Sequence, residues 1–103
     1  MTDEELANKI VVLGVGRPFT YYDGGDQFYI IKYGKLTADK FVRDWRVAGA
    51  MMEKMPDGEV TIWQQKYEDD SPMWIVETHL TNADGRDESL PRAINEACSE
   101  ALS

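Results

Sequence analysis

A strand, a turn and a returning strand in the second half constrain this chain most. In residues 59–67, Val60, Ile62 and Gln64 alternate with Thr61, Trp63 and Gln65, the period-two pattern of a β-strand. Glu68-Asp69-Asp70-Ser71-Pro72 then reverses the chain, and residues 73–80 return as the partner. Met73 and Ile75 fall on one side of this hairpin, Trp74 and Val76 on the other. Both faces are thus partly apolar, and either helices cover both or one face meets another molecule. A length of 103 residues with 43% apolar content suffices for one core. The lone cysteine, Cys98, cannot form an intramolecular disulfide. Packing alone must hold the fold, and no repeat or linker divides it, so one domain over 1–103 is expected.

Helices flank the hairpin. Thr2-Asp3-Glu4-Glu5 has capping-box spacing, with acidic residues placed to suit the helix dipole. Leu6, Ile10 and Leu13 then share a face, and Gly14, Gly16 and Pro18 supply a stop. The β-branched run Ile10-Val11-Val12 also permits a buried strand over 9–15; the explicit start signal favours the helix. Asp23-Gly24-Gly25-Asp26 reads as a turn and 27–33 as a strand rich in Phe, Tyr and Ile, broken by Gly34-Lys35. Thr37 can cap a short helical turn through Val42. Asp44 caps a better helix from Trp45, with Trp45, Ala48, Met52 and Met55 as its apolar face. Gly49 inside it costs about 1 kcal/mol relative to alanine, which implies a close neighbour there. Residues 82–85 read as a loop. Ser89 caps a closing helix with Pro91 in its first turn and an apolar stripe of Leu90, Ala93, Ile94, Ala97, Cys98 and Ala101. The expectation is an α+β domain, α-β-α-β-β-α. One small antiparallel sheet of three to four strands would pack with three helices in a sandwich-like arrangement.

Charge is distributed unevenly. Residues 1–56 hold eight basic and eight acidic side chains, whereas 57–103 hold three basic and eleven acidic, so the net −8 belongs to the second half. An acidic surface is repelled by phosphate backbones and anionic lipid, so direct binding to nucleic acid or membrane is not expected. The N-terminus is acidic where a secretory signal is basic, and no uninterrupted apolar run exceeds four residues. The expected location is the cytoplasm of the host cell.

Residues able to carry chemistry are few. Gly14-Val15-Gly16 lacks the third glycine of a dinucleotide turn, Phe19 standing in its place. His79 is the single histidine and Cys98 lies on an apolar stripe, where a thiol is inert. No metal set, cofactor or enzymatic activity is therefore expected. Two binding surfaces remain. One is an acidic rim of Glu68, Asp69, Asp70, Asp84 and Asp87. The other is an anion and aromatic site of Arg43, Trp45, Arg46 and Tyr29, where guanidiniums beside a helix N-terminus can grip an anion and a ring can stack on a base. The bland reading of that cluster has Asp44 capping, Trp45 packing and the arginines paired with the acidic half.

The strings Leu-Ala-Asn-Lys-Ile-Val-Val-Leu-Gly-Val-Gly, Phe-Val-Arg-Asp-Trp-Arg-Val-Ala-Gly-Ala-Met-Met-Glu-Lys-Met and Glu-Ser-Leu-Pro-Arg-Ala-Ile-Asn-Glu-Ala-Cys lie within residues 6–16, 41–55 and 88–102. In these segments, about two fifths of the chain, the protein resembles small phage and prophage proteins of the phage ABA sandwich domain family. The resemblance implies an α/β sandwich and a phage origin, and brings no catalytic residues. With the acidity, it leads to the expectation of a non-enzymatic accessory protein that binds and inhibits a host protein. A nucleic-acid-binding defence complex would suit, in the manner of an anti-CRISPR, since acidic surface can occupy a site built for phosphate. The second expectation is a sponge that sequesters a signalling nucleotide in an Arg/Tyr-lined pocket at an oligomer interface. A homodimer is compatible with either.

Overall fold

Among the described residues, two antiparallel three-stranded sheets and four helices form in the order α1 (Asp3–Val12), β1 (Arg17–Thr20), β2 (Gln27–Ile31), β3 (Gly34–Thr37), α2 (Ala38–Phe41), α3 (Trp45–Glu53), β4 (Val60–Gln65), β5 (Met73–Thr78), β6 (Asp84–Asp87) and α4 (Leu90–Leu102). The structure is a computed structural model that describes residues 1–20, 27–56, 60–66, 72–79 and 83–103. The expected turns at 23–26 and 68–72 and the carboxylates Glu68, Asp69 and Asp70 lie outside the described residues, Pro72 excepted.

The α+β class holds, but there are two small sheets, β1-β2-β3 and β4-β5-β6, where one was expected. Three strands escaped the sequence reading. β1 contains Pro18, which an edge strand tolerates because its missing N–H need not pair. β3 begins at Gly34: Gly34-Lys35 does not break the strand but starts its partner, Ile31 facing Gly34 across a two-residue turn. Lys32 in that turn takes φ +54°, a left-handed conformation costly without glycine. β6, Asp-Gly-Arg-Asp, was read as loop and instead pairs with β5, Gly85 opposite Val76.

The capping signals at Thr2 and Asp44 are realised, whereas Thr37 stands before α2 without a cap hydrogen bond, its hydroxyl donating to the Asp39 carboxylate instead. The Thr2 hydroxyl accepts from the Glu5 N–H at 3.1 Å and Asp44 Oδ1 accepts from the Arg46 N–H at 2.8 Å. Gly14 and Gly16, at φ +92° and +70°, end α1 and lead into β1. At α4 the cap comes from Asp87, whose carboxylate accepts from the Ser89 N–H at 2.8 Å, and not from the Ser89 hydroxyl. On α3 the buried residues are Val47, Ala48 and Met51, while Trp45 is 62% exposed. The buried face is therefore rotated away from the expected Trp45-Ala48-Met52 line, because Trp45 sits in the first turn, outside the core. Gly49 has open space where a side chain would sit, so the expected close neighbour is absent.

α4 is central. Eight of its residues are buried, from Pro91 to Ser99, well beyond a single stripe. One side carries β5 and β6, and α3 and α1 lie against others. A Cβ on Gly85 would stand 2.1 Å from the Ala93 carbonyl oxygen and 2.7 Å from the Ala97 nitrogen, so the β6 backbone rests directly on the helix. Val76, in register with Gly85, joins the main core with Leu6, Ile10, Tyr29, Phe41, Val47, Met51, Ile94 and Cys98. On the opposite face of this sheet, Ile75 is also fully buried, flanked in register by Trp63 and Arg86. Two glycine substitutions test these placements in urea unfolding. Gly49→Ala should stabilise the chain by up to about 1 kcal/mol. Gly85→Ala should cost about 3 kcal/mol, because helix backbone cannot yield as a side chain can.

Candidate functional site

The arginines proposed for anion binding are engaged by carboxylates and do not converge. Arg43, just past α2, donates through Nη1 to Asp3 Oδ2 at 2.9 Å and to the Asp39 carbonyl at 2.9 Å. Arg46, in the first turn of α3, donates from Nε and Nη2 to the two Asp44 oxygens at 3.0 and 2.9 Å. Its guanidinium lies along the β2-β3 hairpin, 3.1 Å from where a Gly34 side chain would begin. This fork-to-fork pair holds the Asp44 carboxyl below its usual range, the Arg46 hydrogen bond outweighing burial. Of the bland reading only the Asp44 cap holds: the arginines' carboxylates, Asp3 and Asp44, come from the first half of the chain, and Trp45 is exposed instead of packed.

Tyr29, expected on the same surface, is in the core. It stacks on Phe41 with ring centroids 5.1 Å apart, and its hydroxyl donates to Asn8 Oδ1 at 2.8 Å. Burial, and secondarily the nearby Glu4, push its hydroxyl pKa up. Strand alternation puts Tyr29 and Ile31 on one face, and that face turns inward because α2 packs against β2 with Phe41 stacked on Tyr29. Among the described residues the most exposed aromatics are instead Trp45 and Tyr33, at the start of α3 and at the tip of the β2-β3 turn. On the outer face of the first sheet Lys35 stands over the Phe28 and Phe19 rings, 5.0 and 5.7 Å from their centroids.

Of the acidic rim, Asp84 pairs with Arg86 at 3.2 Å with both side chains about half exposed. Asp87 is structural: one oxygen caps α4 and the other accepts from Arg92 Nη1 at 3.2 Å. Arg92 itself was missed. Only 8% exposed, it also donates to Asp3 Oδ1 at 2.8 Å, Glu96 Oε2 at 2.8 Å and the Met1 carbonyl at 2.9 Å. The i,i+4 spacing of Arg92 and Glu96 was legible in the sequence; the long-range partners were not. Between residues 60 and 103 the described side chains include six carboxylates (Glu77, Asp84, Asp87, Glu88, Glu96, Glu100) and three cations (Lys66, Arg86, Arg92). Two of those cations are already paired, so the acidic surplus stays on this side.

His79 Nε2 lies 2.7 Å from the Thr61 hydroxyl on the outer face of the second sheet. A shallow open cleft of about 320 Å³ beside it is lined by Glu77, Thr78, His79 and Asp84. Cys98 is fully enclosed and burial pushes its thiol up to about 11, leaving it protonated at neutral pH. Among the described residues no group of His, Cys, Asp and Glu is arranged to hold a metal ion, and no helix is long and apolar enough to cross a membrane. Around β4, Ile62 and Trp63 are 38% and 42% exposed, on opposite faces of the second sheet. No protein-family model, curated protein or solved structure matches the chain.

The Arg92 cluster makes a sharp expectation about acid. Burial alone would raise the Asp3 carboxyl, but hydrogen bonds and charge from Arg43 and Arg92 bring it below its ordinary 3.8. Its folded pKa is thus the lower one, so its contribution is full above 3.8 and is lost as pH falls through the folded value. Arg92→Met should cost about 3 kcal/mol at pH 7 by removing the cation shared by Asp3, Asp87 and Glu96, of which Asp3 alone keeps another in Arg43. The same variant should show a shallower loss of stability on acidification, measured by urea titrations from pH 7 to about pH 2.5.

Proposed function

We propose that the chain is a non-enzymatic phage accessory protein that binds and inhibits a host protein, in a counter-defence role of the anti-CRISPR kind. The observation that carries this reading is the segregation of charge. Arg43 and Arg46 are held by Asp3 and Asp44, so neither guanidinium is spent on the acidic second half. A surface of that sign is attracted to basic sites that receive nucleic-acid phosphate and is repelled by nucleic acid itself. The resemblance to phage ABA sandwich proteins supports the phage setting. The nucleotide-sponge reading is weaker, since its guanidiniums already hold carboxylates and Tyr29 is buried.

The test is a pull-down from host extract against nucleic-acid-binding complexes, followed by binding to the purified partner. Replacing Glu68, Asp69, Asp70 and Asp84 by their amides should weaken binding by at least about tenfold, and rising salt should do the same to the unaltered protein. Asp87 is left in place because it caps α4 and holds Arg92. Binding that survives the four changes at full strength removes the acidic-mimic reading. Calorimetry against a nucleotide panel addresses the sponge, which predicts heat with at least one member.

A further inference from the structure

We draw no further inference here: the strongest candidate, the edge of β4 that faces away from β5 with Ile62 and Trp63 exposed on its two sides, carries nothing, because nothing in the structure shows what covers it.

Discussion

One buried cation ties the two ends of the chain together. Arg92 lies in the first turn of α4, where the helix dipole disfavours positive charge and burial disfavours any charge. It is tolerated there because Asp3, Asp87 and Glu96 converge on it and the Met1 carbonyl takes a further N–H. Each partner has a second duty. Asp3 also receives Arg43, fixing the approach of α2 to the start of α1, and Asp87 caps α4. The N-terminus, the end of β6 and the start of α4 are therefore one electrostatic unit. Removing its centre leaves carboxylates facing one another, a larger penalty than any single surface pair would produce.

That unit holds the end of β6 where β6 meets α4, and the approach is close enough that only glycine fits at position 85. The small residues Ala93 and Ala97 under the strand serve the same purpose. The second sheet is consequently fixed mainly through β5 and β6, while β4 pairs with β5 and reaches the core through Val60. Ile62 shares a face with Val76, yet Val76 is buried and Ile62 is substantially exposed. The expected choice for the hairpin, helices on both faces or one face left for another molecule, resolves asymmetrically. α4 covers the Val76 face near β6, Ile75 is enclosed on the other face, and exposed apolar surface is concentrated at the free edge.

Features with local causes were legible in the sequence. Thr2 and Asp44 cap because their side chains reach N–H groups within three residues, and β4 and β5 show their alternation directly. The apolar stripe of α4 was readable, though not the burial of Arg92, Asn95 and Ser99 around the rest of the helix, because that follows from packing on several sides. What was not legible depended on partners distant in sequence. Asp-Gly-Arg-Asp has the composition of a loop and becomes a strand because β5 offers a ladder and α4 a surface that accepts Gly85. Arg-Pro-Phe-Thr becomes a strand only as an edge beside β2. Of the candidate site residues, Tyr29 was misplaced for the same reason: alternation assigns faces, but the element covering a face decides which is inside.

The charge asymmetry gains a structural cause from these pairings. Two of the eight cations in the first half, Arg43 and Arg46, are neutralised by carboxylates close to them in the fold, and Lys35 is drawn onto aromatic rings. Among the described residues the one ion pair between the halves, Asp3 with Arg92, runs in the direction that removes a cation from the second half and not an anion. Folding thus deepens the imbalance that the sequence carries. Among the described residues beyond position 60, carboxylates are therefore left in excess of cations, and the cations that remain there are mostly paired already.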